Sequence, residues 1–552
     1  MEKSSQNVTQ PSVSVNPNPE SSFKAQGRRH LIKAAGLVGI FTLTSRILGL
    51  IRDIVSANRY GTSWHWDVFL FAFMLPNFLR RIVGEGALAS AFIPVYTEIL
   101  NQKGREEAFR FANLIVTLSA CFLAVFSLAM EGLLGLGLSF LPDSGRLSLV
   151  FDLLRFFIPY LYLISLFAMG MGILNCHQHF LAPSLGPVIL DLFWIAGILW
   201  IVPWVQSGGR VVELRWLAGV IMLSGIAQVA AQIPPLYRLG FRLQWIWNFR
   251  DAGLLKTARL FLPTVLGFAV VQINLLVDSS MSFMIGPGAN SSLWYGNRIM
   301  QFPLGVFAIA MGTALLPALS HQRAQKDLAA ARKTLSFALR SIFLIILPCT
   351  VGLVVLSQPI VQLLFERGEF DAASTGRAAA VLAAYSLGLF AYSGQKIITS
   401  AFYAVQDTRT PLKIAVIALI SNVALNFIFM RPFQEAGLAL STTLSGTLQF
   451  SLLVFFYHRK IAAFPLREVF VSFGRIFASS LAMGLAAAGV YQGFVRSLPG
   501  TTLFNFLFQV FGTILISVVA YGLFCILFRV SELGEFWRGL QKKEGRGPLP
   551  LP

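Results

Sequence analysis

Several positively charged side chains of this 552-residue chain lie inside long apolar stretches of sequence. They are Arg46, Arg52, Arg80, Arg81, Arg298 and Lys396. A charge at the middle of a membrane costs at least about 2.5–3.5 kcal/mol on insertion scales, so such side chains face a protein interior or a wet cavity. Guanidinium groups bind phosphate oxygens through paired hydrogen bonds. The arginines therefore predict either buried ion pairs or a cavity for an anionic ligand.

Ion pairing is the structural interpretation, and it fits the arginines that have acidic residues close in sequence. Arg52 and Arg81 are of this kind, because Asp53, Asp67 and Glu85 are available to neutralise them. A buried charge needs such a partner to be tolerated.

The remaining arginines favour the second interpretation. Arg46, Arg80 and Arg298 have no acidic residue within a helical turn. Their excess positive charge suits a phosphate-bearing ligand. Gly49 and Pro76 lie nearby and allow the helices to bend around a cavity.

The composition indicates the elements that must position these residues. Hydrophobic residues make up 55% of the chain and charged residues 12%, and the mean hydropathy is +0.68. Repeated apolar runs of about twenty residues fit the hydrocarbon core, and their continuous pattern favours helices over a barrel. The net charge of +19 is spread over short loops, which indicates membrane topology rather than a nucleic-acid partner.

We therefore expect an all-α integral membrane protein with about fourteen transmembrane helices. Residues 1–27 are polar and predict a disordered tail. The stretch 86–100 could continue the second span beyond a break. The predicted spans lie near 34–56, 66–84, 109–136, 150–174, 184–205, 216–236, 258–285, 293–318, 336–357, 376–402, 412–431, 436–457, 472–495 and 503–529.

Loop charge and internal similarity predict the arrangement of these spans. Lys and Arg are concentrated in the loops after even-numbered spans, so both termini are expected in the cytoplasm. The sequences around Pro76 and Pro303 are similar, as are those around Pro183 and Pro411, at offsets of 227 and 228 residues. Two six-helix halves of the same orientation would explain both offsets, with a substrate site between them. Chance matching of prolines is the alternative.

Five segments carry a resemblance to a known family. At these segments the chain resembles the MurJ/MviN family, the lipid II flippases of the multidrug/oligosaccharidyl-lipid/polysaccharide transporter superfamily. The motifs occur in family order over residues 30–530. They are SRILGLIRD (45–53), DVFLFAFMLPNFLRRIVGEGALASAFIPVY (67–96), RIMQFPLGVFAIAMGTALLP (298–317), LLFERGEF (363–370) and FYAVQDTRTPLKIAV (402–416).

The resemblance implies two six-helix lobes in a V, followed by two helices that form a groove for a lipid tail. It implies a transporter, not an enzyme, that moves undecaprenyl-pyrophosphate-linked disaccharide pentapeptide to the outer leaflet of the bacterial inner membrane by alternating access. Lipid II, membrane lipids and the division or peptidoglycan-synthesis machinery are the expected partners. The expected units are a tail (1–27), an N-terminal lobe (28–240), a C-terminal lobe (241–460), the groove (461–532) and a cytoplasmic tail (533–552).

The resemblance also assigns residues to the central cavity, where they would hold the pyrophosphate and sugar head. The arginines are Arg46, Arg52, Arg80 and Arg298, and the residues beside them are Ser45, Asp53, Asn77 and Glu85. Lys396 in the tenth span is a further candidate. Asn297 and Gln301 depart from the family pattern, since many relatives have acids there; the partner of Arg298 is then weaker or lies elsewhere.

A cation site is a further implication, because some family members bind sodium in the C-terminal lobe. The matching residues are Asp278, Asn422, Asn426 and Thr442. Oxygen ligands suit a hard cation, but an Asn stands where other members have Asp, which weakens charge compensation. Ordinary polar contacts between helices are the interpretation we favour. No cofactor is expected beyond a monovalent coupling ion, sodium or chloride.

Two alternatives to a lipid II flippase stay open. A related exporter of drugs or of another polyprenyl-linked glycan would share the fold, although an arginine-rich cavity suits cationic drugs poorly. A polytopic cell-wall glycosyltransferase would need an extramembrane loop with catalytic acids, and the longest loops here are short and basic.

Overall fold

The computed structural model describes residues 41, 43–79, 89–142, 145–461, 464–498 and 502–534. Within these ranges the chain is nearly all helical and has no β-strand. Arg80, Arg81 and Glu85 lie outside the described residues, as does the predicted tail 1–27.

The first part of the chain forms eight helices in the described residues. They are α1 (43–60), α2 (Trp64–Leu79), α3 (Ala89–Lys103), α4 (Arg105–Ser139), α5 (Arg146–Cys176), α6 (Leu181–Ala196), α7 (Val202–Val205) and α8 (Gly209–Arg238).

The later helices follow an extended connection after α8. They are α9 (Ala252–Ile285), α10 (Ala289–Pro303), α11 (Ile309–Ala324), α12 (Leu328–Val355), α13 (Ser357–Phe365), α14 (Ala372–Ser386), α15 (Leu389–Ala404), α16 (Arg409–Lys460), α17 (Leu466–Ser497) and α18 (Leu503–Leu527).

The described helices bear out a polytopic membrane protein. Eight helical segments of the described residues are long and apolar enough to cross a membrane. Two of them, Leu181–Arg238 and Arg409–Lys460, each cover two predicted spans. The predicted span 376–402 is instead interrupted between α14 and α15, where the Gly388 N–H donates to the Tyr385 carbonyl (3.0 Å) in a tight turn. The total of fourteen spans stays a prediction.

Aspartates at three helix starts explain where those helices begin. Asp251 accepts hydrogen bonds from the N–H groups of Gly253 (2.8 Å) and Leu254 (3.1 Å) at the start of α9. Asp327 and Asp371 cap α12 and α14 in the same way. Such caps satisfy N–H groups that have no partner within the helix. Hydrogen bonds from Ser374 lower the pKa of the Asp371 carboxyl.

Two helices open into π-helical turns next to prolines. One turn is Gly197–Ile201, two residues before Pro203, and the other is Leu304–Ala308, directly after Pro303. Proline lacks the N–H that an α-helix needs, and π turns occur mostly as local insertions at functional sites. Gly305 in the second turn lies against Arg46 of α1.

An aromatic cluster fixes α2 against α5 and α6. The Trp66 ring stacks on Tyr60 and Phe69 at centroid distances of 4.6 and 5.0 Å and meets Trp194 edge-on at 6.2 Å. Trp66, Phe69 and Trp194 are each at most 1% exposed. Stacked and edge-on aromatic pairs stabilise beyond their burial, so this cluster holds α6 in place beside α1.

The sharp turn inside α16 depends on a glycine. The chain reverses at Gln434, whose φ of 50° and ψ of −132° are not helical. A Cβ on Gly437 would overlap the backbone oxygen of Phe429, which cannot move without opening the turn.

We predict that Gly437→Ala lowers the unfolding free energy by about 1–3 kcal/mol through this overlap. Gly489→Ala is the control, because a Cβ at Gly489 meets open space and alanine favours helices. Thermal unfolding in detergent measures both variants. Equal melting temperatures would contradict the account of this turn.

Candidate functional site

Two carboxylates hold Arg52 in the protein interior. Its Nη1 lies 3.0 Å from Asp191 Oδ1, and its Nη2 lies 2.9 Å from Asp53 Oδ1. The guanidinium also lies over the Trp194 ring, 4.9 Å from its centroid. Arg52 is 6% exposed. The pairing with Asp53 that the sequence suggested is present, and Arg52 offers little surface to a ligand in this arrangement.

Asp53 also joins the two parts of the chain. Its Oδ2 forms an ion pair with Arg298 Nε at 2.8 Å, and Trp294 Nε1 donates to its Oδ1 at 3.4 Å. Asp53 belongs to α1, whereas Arg298 belongs to α10. The expectation that Arg298 lacks a nearby acid holds only along its own helix. Its partner comes from a distant part of the sequence.

Arg298 is more open than Arg52. Its side chain is 36% exposed, and it pairs with Asp53 through Nε. The Nη2 end lies against Gly49 of α1, where a Cβ would overlap it. Gly49 therefore provides the space that lets Arg298 reach across to α1.

Arg46 extends from α1 towards the α10 region, in the direction opposite to that of Arg298. Its guanidinium, carried by α1, lies against Gly305 in the π-helical turn after α10, and a Cβ on Gly305 would overlap both Nη atoms. Among the described residues no carboxylate lies within ion-pair distance of Arg46. Two arginines thus cross in opposite directions between α1 and the α10 region, each against a glycine.

A cavity of about 150 Å³ lies between α2, α9, α10 and α14. Its polar lining in the described residues is Asn77, Gln272, Asp278, Ser279, Asn290, Asn297, Arg298 and Gln301. Asn297 and Gln301 bond to each other along α10. Pockets for drug-sized ligands occupy roughly 300–1,000 Å³, so this cavity holds only a small group in its present shape.

The residues matched to a sodium site come together. Asp278 accepts from Asn426 Nδ2 at 2.7 Å and from Thr442 Oγ1 at 2.9 Å, and the Asn422 amide, oriented so that both of its polar atoms are satisfied, donates to Asp278 Oδ1 at 3.1 Å and accepts from the Thr442 N–H at 3.3 Å. These are interhelical polar contacts. Asn426 Oδ1 is buried and accepts no hydrogen bond among the described residues. This oxygen, beside the Asp278 carboxylate, would therefore suit a cation as a ligand.

The other sequence candidates have different surroundings. Ser45 is half-buried and Lys396 is exposed on α15. Arg80 and Glu85 lie outside the described residues. Asp67, considered as a partner for an arginine, instead accepts from the N–H groups of Gly288 (2.5 Å) and Ser291 (2.7 Å) at the start of α10. The positive end of a helix attracts such a carboxylate.

Sequence reasoning missed Asp191 and Trp294. Asp191 is an acid within the predicted span 184–205, and that is a signal in itself, because an acidic residue in an apolar run needs a partner. Trp294 carries no such signal, since tryptophan is common in membrane helices.

A model of the family described as lipid II flippase MurJ matches residues 56–512. A protein of Vibrio cholerae serotype O1 named probable lipid II flippase MurJ is 35% identical over 444 residues, which is 78% of this chain and 83% of that protein. A Haemophilus influenzae protein of the same name is 33% identical over 517 residues, or 89% and 98% of the two chains.

Solved structures agree with these matches. The structure described as lipid II flippase MurJ in an inward closed conformation has a TM-score of 0.73 and 28% identity, and it covers 89% of this chain and 99% of that one. An inward-facing multidrug transporter of the MATE family has a TM-score of 0.63 at 14% identity over 76% of this chain and 94% of that one, which shows a likeness of fold alone.

We predict that Asp191→Asn lowers the unfolding free energy by about 3 kcal/mol, because removing one partner of a buried ion pair leaves charge uncompensated. Asp152→Asn is the matched control. Asp152 pairs with the half-exposed Arg215 at 2.7 Å, and exposed pairs contribute about 0–1 kcal/mol. Thermal unfolding of both variants tests the difference, and equal losses would contradict a structural role for Asp191.

Proposed function

This chain belongs to the MurJ family of lipid II flippases, and from that membership we propose that it moves lipid II from the inner to the outer leaflet of the cytoplasmic membrane by alternating access. Lipid II is the undecaprenyl-pyrophosphate-linked precursor of peptidoglycan. The observation that carries the proposal is the pair of crossing arginines, Arg46 and Arg298, at the junction of α1 with α10.

The crossing arginines supply the chemistry that a pyrophosphate needs. The Asp53 carboxylate orients Arg298 through Nε, which leaves the two Nη groups for phosphate oxygens. Arg46 has no carboxylate partner among the described residues and adds a second guanidinium. Arg52, held by Asp53 and Asp191, serves in this proposal as a rigid support rather than as a direct ligand.

Alternating access requires that one end of the cavity be closed, and contacts at one end support this. Asp67 caps α10, as described above, and the Asn290 side chain donates to the Asp67 carbonyl at 3.0 Å. Thr62 and Ser374 hydroxyls lie 2.7 Å apart. These contacts join the α1–α2 turn to the α9–α10 and α13–α14 connections.

Glu369 adds to the same closure. Its N–H donates to the Asn58 carbonyl at 3.0 Å, and its carboxylate pairs with Arg210 at 3.0 Å. On the topology that the loop charges predict, this end would lie outside the cell. We therefore infer that release to the outer leaflet breaks this small set of polar contacts.

The lipid tail needs an apolar path beside the cavity. Helices α17 and α18 pack on each other, and α17 packs on α12. Large apolar side chains on their outer faces are exposed, including Leu485, Phe504, Leu515 and Leu523. We propose that these faces accompany the polyprenyl chain while it stays in the lipid.

Another polyprenyl-linked glycan is the second candidate substrate, because it carries the same pyrophosphate. The crossing arginines would bind either head, so substrate competition decides between them. The division or peptidoglycan-synthesis machinery stays a predicted partner.

Arg298→Ala is predicted to reduce lipid II flipping in proteoliposomes by about tenfold or more, since hydrogen bonds to charged groups contribute about 1.5–3 kcal/mol. Arg215→Ala, which removes an arginine from an ion pair away from the cavity, should flip at the parent rate. A folded Arg298→Ala protein that flips lipid II at full rate would remove this residue from the mechanism.

Locking the closed end should stop transport. We expect a Thr62→Cys/Ser374→Cys protein, with the native cysteines replaced by serine, to lose flipping on oxidation and to regain it on reduction. A Thr97→Cys protein that keeps Cys176 as its one native cysteine, where Thr97 Oγ1 lies 3.8 Å from Cys176 Sγ, would crosslink α3 to α5 within the N-terminal part and should leave flipping intact. Flipping by the oxidised Thr62–Ser374 crosslinked protein would contradict alternating access at this end.

The polar cluster at Asp278 is proposed to be an interhelical contact rather than the coupling site. Replacing sodium by potassium on both sides of the membrane should then leave flipping unchanged. A sodium-dependent rate that Asp278→Asn abolishes would instead establish a cation site.

A further inference from the structure

The connection between α8 and α9 is extended rather than helical. We call residues 241–249 the elbow; it is the covalent link between the first eight helices and the later ones. Phe241 at its start is buried and meets Phe109 of α4 edge-on at a centroid distance of 5.5 Å. The elbow is therefore fixed against α4 at one end.

Side chains of α4 bind the elbow as a neighbouring β-strand would. Asn113 donates to the Arg242 carbonyl at 2.9 Å and accepts from the Gln244 N–H at 3.0 Å. Thr117 accepts from the Ile246 N–H at 3.3 Å and donates to the Gln244 carbonyl at 3.4 Å. The even-numbered residues thus direct their backbone groups to α4, which fixes the register of the segment.

This register determines where the odd-numbered side chains lie. Alternate side chains of an extended segment share one side. In the extended part after the buried Phe241, the odd-numbered residues are Leu243, Trp245 and Trp247, which are 64%, 67% and 57% exposed, and Phe249 in the turn that follows is 67% exposed. The elbow therefore presents a continuous row of large apolar side chains, two of them indoles, that no described part of the chain covers.

The predicted bounds of span 109–136 put this row towards the cytoplasmic interface of the membrane. Asn113 and Thr117 lie about 12–18 Å along α4 from Arg105, near the start of the predicted span 109–136. Tryptophan side chains concentrate at the level of lipid headgroups, where the ring is apolar and the N–H meets polar groups.

Positive charge surrounds the row. Three exposed arginines lie in the elbow or within three residues of it, and no carboxylate of the described residues is within ion-pair distance of them. They are Arg238, Arg242, which also lies over the Tyr237 ring at 3.5 Å, and Arg250. The acids that line the adjoining groove are engaged, since Glu98 pairs with Lys256 at 2.5 Å, Glu107 pairs with Arg110 at 3.6 Å and Asp251 caps α9. Basic residues at a membrane surface attract anionic lipids by about 1 kcal/mol each.

We propose that the elbow is a binding site for anionic glycerophospholipids of the inner leaflet. The indoles of Trp245 and Trp247 insert at the headgroup level, and the arginines bind the phosphates. Because the elbow links the two parts of the chain, bound lipid anchors this link to the membrane surface while the parts move. The proposal does not depend on which lipid is transported.

Tryptophan quenching by brominated lipids tests the site in the full chain. Vesicles contain brominated phosphatidylglycerol or brominated phosphatidylcholine at equal mole fraction. The difference in fluorescence between the parent protein and the Trp245→Phe/Trp247→Phe protein gives the emission of the two elbow tryptophans. We expect brominated phosphatidylglycerol to quench this emission about twofold more than brominated phosphatidylcholine does, since the local positive charge enriches the anionic lipid.

Charge variants test whether the arginines cause the stronger quenching by the anionic lipid. The Arg242→Gln/Arg250→Gln protein should lose this difference between the two lipids. The Arg155→Gln/Arg215→Gln protein, with an equal change of charge elsewhere, should keep it. Unaltered melting temperatures confirm that each variant is folded. Equal quenching by the two lipids, or a difference that persists in Arg242→Gln/Arg250→Gln protein, would overturn the proposal.

Discussion

The buried carboxylate of Asp53 is the charge on which the cavity depends. It is 2% exposed and contacts both Arg52 and Arg298. A carboxylate in such surroundings is stable only with cationic partners, and these partners come from α1 itself and from α10. The same group thus neutralises one arginine, orients a second and joins two distant helices. Asp191 supports this arrangement by sharing Arg52.

Polar contacts and glycines then determine how closely the two parts of the chain approach. At one end the carboxylate of Asp67 binds the start of α10. Deeper in the protein, Gly49 and Gly305 leave room for guanidinium groups that cross between helices. Contacts of this kind are specific but few, so they suit the opening of this interface that the proposed transport requires.

Much of the helical organisation could be predicted from apolar runs, because membrane helices must satisfy their own backbone hydrogen bonds. The arginines were recognisable for a similar reason, since charge in an apolar run is costly. The Asp53 partner of Arg52 was recognisable because the two are adjacent in sequence, whereas the partner of Arg298 was not, because its pairing with Asp53 joins residues on separate helices. Periodicity along one helix does not report such contacts. The cap that Asp67 provides, and the strand-like binding of the elbow by Asn113, were hidden for the same reason.

The affinity of labelled lipid II for Gly49→Ala protein tests the central claim most directly, because the added methyl displaces Arg298 without removing its charge. Gly489→Ala, in open space, is the control. If Arg298 binds the pyrophosphate from its position against α1, affinity should fall about tenfold in the first variant alone. Equal affinity of both folded variants and the parent protein would contradict the claim.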